Sequence, residues 1–187
     1  MNDRPNDSRH YDTPGHAHEL TFCCFHNQDY LSDERACVML LEEIRKAQEQ
    51  HAFHLWAYVI MPNHVHMLLW PTEMEYSIAR ILGFKGRMAI RYSRMMRESA
   101  PEKHKRYCVR ERGRNVFAFW QRGGGFDRNL WNTDAVHASL RYIEQNPVKK
   151  GLVSAPWQWR WSSAFRALAD EAFRPKVDRS SLPAKMV

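Results

Sequence analysis

Residues 53–70 constrain this chain more than any other stretch. They read FHLWAYVIM, then Pro62-Asn63, then HVHMLLW. Two runs of aromatic and β-branched residues flank a single Pro-Asn turn, which predicts strands over 53–61 and 64–70, with Pro71 stopping the second. The first run shows no polar alternation, as in a strand buried on both faces. A chain with such a hairpin has to build a sheet and cover it.

The flanking segments supply the rest of the sheet and its cover. Residues 18–26 (HELTFCCFH) predict a first strand. Ser32-Asp33 can cap a helix ending near Gln50, with Val38, Leu41, Ile44 and Ala47 at helical spacing. A second helix is predicted over 77–97. Ile78, Leu82, Ala89, Tyr92 and Met96 form one stripe, and Arg80, Arg87, Arg91 and Arg94 another. Residues 98–116 read as a charged linker, and 117–131 as a short strand, a glycine loop and a second strand piece. Thr133-Asp134 caps a helix reaching about Asn146, before Pro147, and Gly151 marks its exit. Residues 157–168 pack aromatics and predict a short helix.

One tight hairpin and long helical crossovers predict an α+β fold: a ferredoxin-like antiparallel sheet with helices on one face. A length of 187 residues suits one domain, placed at 16–170, between a disordered lead at 1–15 and a tail at 171–187. Hydrophobic residues at 44% and charged residues at 26% fit a globular chain, and no apolar run approaches the roughly 20 residues of a membrane span. The polar N-terminus lacks a secretory apolar core, so the expected location is cytoplasmic. Cys23, Cys24, Cys37 and Cys108 form no CxxC and match neither a zinc site nor a disulfide framework, so reduced thiols are expected.

Charge is uneven. Residues 80–128 hold 14 Lys and Arg against 4 Asp and Glu, a net of +10, whereas the whole chain carries +7. One stretch therefore carries all the excess, which points to a polyanion and above all to nucleic acid. Candidate phosphate contacts are Arg87, Arg91 and Arg94 on the second helix, Lys103, Lys105, Arg106, Arg110, Arg112 and Arg114 in the charged segment, and Arg122 beside the glycines. Trp120 and Phe126 flank that loop and could stack on an unpaired base, although core packing is the simpler role for Trp120.

His64 and His66 stand at i and i+2 on the second hairpin strand, so both imidazoles share one face while Val65 and Met67 face the core. Two converging imidazoles make half of a divalent-metal site, and the third ligand has to come from elsewhere. Such a pair also occurs on exposed strands that bind nothing. His54 reads as a satisfied core histidine or a partner to a ligand. Tyr142 and Asn146, at i and i+4, share one face of the last helix. A tyrosine beside a metal-bound phosphate can attack phosphorus and form a phosphotyrosine.

These residues lie in segments that resemble a known family. The run 58–70 (YVIMPNHVHMLLW) resembles the His-hydrophobic-His, or HUH, segment of single-tyrosine transposases, and 142–153 (YIEQNPVKKGLV) resembles their catalytic-tyrosine helix and its Asn-Pro exit. Residues 119–123 (FWQRG) and 159–164 (WRWSSA) are similar to intervening and trailing motifs of the REP-associated tyrosine transposases. The motifs fall in the expected order within about residues 17–168.

The resemblance implies the HUH nuclease fold and a single-stranded DNA nickase acting on palindromic repeat hairpins. It implies a Mg²⁺ or Mn²⁺ ion held by His64, His66 and an oxygen of the tyrosine helix, Asn146 by position, with Gln145 as the substitute. Tyr142 would attack the scissile phosphate, keep the 5′-phosphate and release a 3′-OH, which can later rejoin the strand without ATP. The resemblance leaves a homodimer open beside a monomer. Two other readings use the same residues. One is a non-cleaving protein that binds structured DNA or RNA. The other is a hydrolase of small phosphoesters, for which the basic stretch has no use.

Overall fold

The predicted hairpin forms. The computed structural model describes residues 12–123, 125–166 and 171–184. In it β2 (Phe53–Ile60) and β3 (His64–Pro71) pair antiparallel. β1 (Ala17–Cys23) pairs with the other edge of β3, and β6 (Phe126–Leu130) with β1, giving a four-stranded order β2-β3-β1-β6. With α1 (Glu34–Gln50) between β1 and β2, and α3 (Phe84–Ser99) between β3 and β6, this is the ferredoxin-like β-α-β-β-α-β arrangement.

Alternation along the strands makes two cores. Leu20, Phe22, Leu55, Ile60, Val65, Met67 and Leu69 face α1 and α3. Ala57, Val59 and Leu68 face the opposite way, against Val136, Leu140 and Ile143 of α5 (Thr133–Lys149). The crossover helices therefore share one face, as expected, while α5 lies on the other. The physical reason is already in β2: a strand apolar on both sides needs a second cover. Its outer edge is covered too, because Ile60 N–H donates to the Trp161 carbonyl (2.8 Å) and Ser163 N–H to that of Tyr58 (2.9 Å).

Several boundaries differ from the sequence expectation. The helix over 77–97 is broken into α2 (Ile78–Ile81) and α3, with Gly83 at the break. The expected linker at 98–116 is ordered into α4 (Pro101–Arg106), begun by Pro101, and a hairpin of β4 (Cys108–Glu111) and β5 (Arg114–Phe117). The hairpin turns on Arg112 (φ 45°) and Gly113 (φ 80°), the positive-φ pair of a tight two-residue loop. Asn132, rather than Thr133, caps α5, its side chain accepting from Ala135 N–H at 2.8 Å. α5 also runs through Pro147 to Lys149, since a proline in the last turn forfeits one backbone bond without ending the helix.

Residues 156–158 form one 3-10 turn, and 161–163 run along β2 instead of forming the expected helix; 167–170 lie outside the described residues. Of the expected lead, 1–11 lie outside them too, while Asp12 accepts from Ile78 N–H (3.1 Å). Of the tail, 171–184 are fastened to the body: Arg174 donates to the Tyr58 hydroxyl (3.0 Å) and the Trp56 indole to Ser181 (2.8 Å). The four cysteines are free.

Gly125 begins the approach to β6 with φ +85°, and a Cβ there would sit 2.3 Å from the Thr21 carbonyl oxygen. Both the conformation and the space exclude a side chain. Gly125→Ala is expected to destabilise the fold by about 2–3 kcal/mol and lower the melting temperature by roughly 5–10 °C in a thermal unfolding scan.

Candidate metal and tyrosine centre

The pleat of β3 aims His64, His66 and Leu68 at the face that α5 covers. His66 is buried (6% exposed) and His64 half-buried, with ring centroids 4.8 Å apart. Each imidazole is held through Nδ1. That of His64 lies 2.6 Å from the Asn63 Oδ1, and that of His66 2.7 Å from the Thr21 hydroxyl, directly across the β1–β3 pairing. An amide oxygen can only accept, so His64 carries its proton on Nδ1 and keeps a lone pair on Nε2; the Thr21 hydroxyl accommodates the same tautomer at His66.

Burial, and then the neighbouring His64, push His66 down to about 4. Burial, and then Lys150, lower His64. Both rings are therefore neutral near pH 7, the form that ligates a metal.

α5 runs across this face and delivers the phenol. The Tyr142 ring centroid is 5.4 Å from that of His66, and the residue is 42% exposed. One turn later Asn146 is buried (4% exposed), whereas Gln145 is exposed. No third His, Cys, Asp or Glu joins the histidine pair among the described residues. A third side-chain ligand from the described residues would therefore be a neutral oxygen donor, for which the buried Asn146 is the candidate. Two neutral nitrogens and one amide oxygen, with positions left open, suit a hard divalent cation that also takes phosphate and water.

Lys149 places its ammonium 4.8 Å from the Tyr142 ring centroid, and Lys150 is close enough to depress His64. Thr21, Lys149 and Lys150 stand outside the residues expected at the centre, and Asn63 was expected only in the Pro-Asn turn. Only the Lys149-Lys150 pair, just past Asn146, left a local trace. Thr21→Val removes the hydroxyl that orients His66 while keeping its shape. It is expected to weaken Mn²⁺ binding about 10- to 100-fold, read by calorimetric titration.

The other candidates divide. His54 lies outside the centre, its Nδ1 2.7 Å from Asp178 and its ring stacked on Trp70. Arg87 and Arg91 are held by carboxylates on α1: Arg87 Nε donates to Glu43 (3.0 Å), and Arg91 to Glu42 (2.6 Å) and Glu43 (2.7 Å). Arg94 lines a groove with Arg97, Ile90 and Val116. Lys105 pairs with Glu102, Lys103 approaches the Tyr107 ring, and Arg106 is exposed. Arg110, Arg112 and Arg114 are exposed on the β4–β5 hairpin, and Arg122 pairs with Glu111 near its tip. Trp120 packs against Phe22 and donates to the Lys85 carbonyl (2.9 Å), a core role. Phe126 is exposed opposite Thr21, on the face of the centre.

A ferredoxin-like sheet that presents a His-Val-His pair beneath a helix-borne tyrosine defines the class of HUH-type tyrosine transposases. The profile of the family described as "Transposase IS200 like" matches residues 15–146, and the chain belongs to that family. It is 26% identical over 146 residues to a protein of Haemophilus influenzae named as a REP-associated tyrosine transposase, covering 78% of this chain and 74% of the relative. Its fold matches the solved structure of a REP-associated tyrosine transposase bound to a REP hairpin, with a TM-score of 0.61 and 18% identity over 100% of this chain and 99% of the other. No helix among the described residues is long and apolar enough to cross a membrane.

Proposed function

We propose that this transposase nicks and rejoins single-stranded DNA at the foot of hairpin-forming repeats through a phosphotyrosine on Tyr142. The observation that carries the reading is the meeting of two distant segments: Tyr142 of α5 stands against His66 of β3, with Asn146 buried one turn further along α5. His64, His66 and Asn146 would hold Mg²⁺ or Mn²⁺, and the ion when bound supplies Lewis acidity at the scissile phosphate. Tyr142 loses its proton and its oxygen bonds to phosphorus. The P–O3′ bond breaks, the departing oxygen takes a proton as a free 3′-OH, and the 5′-phosphate stays on the phenol. Reversal by a 3′-OH rejoins the strand, so the energy of the broken ester is conserved.

Lys149 puts positive charge beside the attacking ring, where the phosphate arrives. The structural relative was solved on a REP hairpin, and the exposed Arg110, Arg112 and Arg114 offer this chain a basic hairpin of its own for a DNA stem.

The test is incubation of the protein with repeat hairpins and Mn²⁺, followed by a denaturing gel. A covalent protein–DNA band with a released 3′-OH fragment supports the reading. Tight binding to the same hairpins with no cleavage on any of them contradicts it and favours a non-cleaving binder. Turnover of a generic phosphodiester that survives Tyr142→Phe favours a simple hydrolase.

A further inference from the structure

We infer that a tryptophan-lined cavity at the N-terminal end of α5 holds an unpaired nucleobase of the DNA strand whose phosphate is cut at Tyr142. The inference rests on the nicking function proposed above. The cavity has a volume of about 260 Å³ and is walled by Trp56, Trp70, Trp131, Leu130 and Val136. It takes no part in the metal and tyrosine centre.

Its floor depends on an irregularity in the sheet. Leu55 pairs with Leu69 and Ala57 with Leu68, so Trp56 is an extra residue, a β-bulge. The bulge turns Trp56 toward the α5 side, where Ala57 also points; regular alternation would have sent one of them into the other core. Trp56 then lies nearly parallel to Trp70, with centroids 5.8 Å apart and planes 27° apart, and its indole N–H is fixed by Ser181 at 2.8 Å. Trp131, the first residue after β6, stands at the mouth and is 74% exposed. An indole left that far in water adds little to folding, and aromatic surface of this kind is what single-stranded nucleic acid stacks on.

The chemistry of the lining selects the occupant. Among the described residues, no carboxylate, ammonium or guanidinium lines the cavity, whose walls are chiefly indole and aliphatic surface. Its volume is below the roughly 300–1,000 Å³ of pockets for drug-sized ligands, and a neutral planar ring system fits it. The cavity also shares a face with the centre. Trp70 follows His66 by four residues on β3, about 13 Å at the strand rise, or about four nucleotides at a stacked rise of 3.4 Å. Phe126 of β6 is exposed on the same face level with His66, and Arg128, level with Leu68 and paired to Glu19, is exposed between the centre and the cavity. A strand nicked at Tyr142 can therefore pass over β6 and place a base among the tryptophans.

The experiment is fluorescence anisotropy of a labelled hairpin carrying an eight-nucleotide single-stranded extension, in EDTA so that nothing is cut. Trp131→Ala is expected to weaken binding about tenfold, and Trp131→Phe to restore most of it. Native protein is then titrated with hairpins carrying one abasic site, moved along the extension. One position, about four nucleotides from the nick, is expected to lose about tenfold, and the same abasic hairpin to lose nothing further with Trp131→Ala. Unchanged binding, within twofold, for both the variant and every abasic position overturns the inference. The covalent band formed with Mn²⁺ keeps the two readings apart. An adduct with no tryptophan or abasic effect leaves the nicking function and removes the base pocket; the tryptophan and abasic effects without an adduct do the reverse.

Discussion

Tyr142→Phe is expected to abolish the covalent band, with strand cleavage down by about 10⁴-fold or more, while hairpin affinity stays within about twofold of native. The change removes one oxygen. The ring that lies 5.4 Å from His66 and beneath Lys149 is kept, so packing and the local positive charge persist. At 42% exposure, and with no hydrogen bond from its hydroxyl among the described residues, Tyr142 has nothing structural to lose with that oxygen. Loss of a covalent nucleophile is among the largest effects that a single substitution produces, because no neighbouring group takes over the bond. Quantitation of adduct on denaturing gels, beside anisotropy for binding, reads both halves of the result. An undiminished adduct would mean that another residue attacks.

Removing one imidazole comes next in size. His66→Ala is expected to lower adduct formation by about 10³-fold at fixed Mn²⁺, and His64→Ala by a similar factor, since the loss of one properly placed group that stabilises developing charge costs about 10²–10³ and here the whole ion is weakened. The two differ in stability. His66 is buried against Thr21, so its loss strands a hydroxyl and opens a cavity, at about 1–3 kcal/mol, whereas the half-buried His64 leaves less behind. Thermal scans of both variants separate folding from chemistry. Asn146→Ala is expected to fall between native and the histidine variants, because an amide oxygen is the weakest donor of the three.

Acid tolerance follows from the same environment. With the folded-state value of His66 depressed to about 4 and that of His64 lowered, both nitrogens stay neutral below the ordinary imidazole value of about 6.5. Adduct formation is thus expected to persist to a lower pH than an ordinary imidazole would allow and to fail on further acidification, as protons reach the two rings.

What the sequence revealed about this centre was local. Period-2 alternation puts His64 and His66 on one face, and helical spacing puts Tyr142 beside Asn146; both relations hold within single elements. That the two faces meet is a tertiary fact, and before the structure only the family resemblance implied it. Thr21 was hidden because its link to His66 is a register between strands 45 residues apart. The arginines of α3 illustrate another limit. A stripe of guanidiniums looks the same in sequence whether it faces DNA or an acidic neighbour, and Glu42 and Glu43 on α1 hold Arg87 and Arg91. The β4–β5 hairpin carried its turn signal, Arg112-Gly113, but its charges masked the strand pattern. The second sheet face was implicit in the doubly apolar β2, yet the helix that covers it could be assigned only once the sheet order was known.

Nicking through Tyr142, as proposed, requires His64, His66 and Asn146 to close on one cation within reach of its hydroxyl. The direct measurement is anomalous scattering at the manganese edge from crystals of the Tyr142→Phe protein soaked in MnCl₂ with a bound hairpin. The predicted result is one strong peak about 2.0–2.5 Å from the Nε2 atoms of His64 and His66 and from the Asn146 side-chain oxygen, touching the scissile phosphate. A manganese peak away from the histidine pair, or none at a concentration that supports cleavage by the native protein, would contradict it.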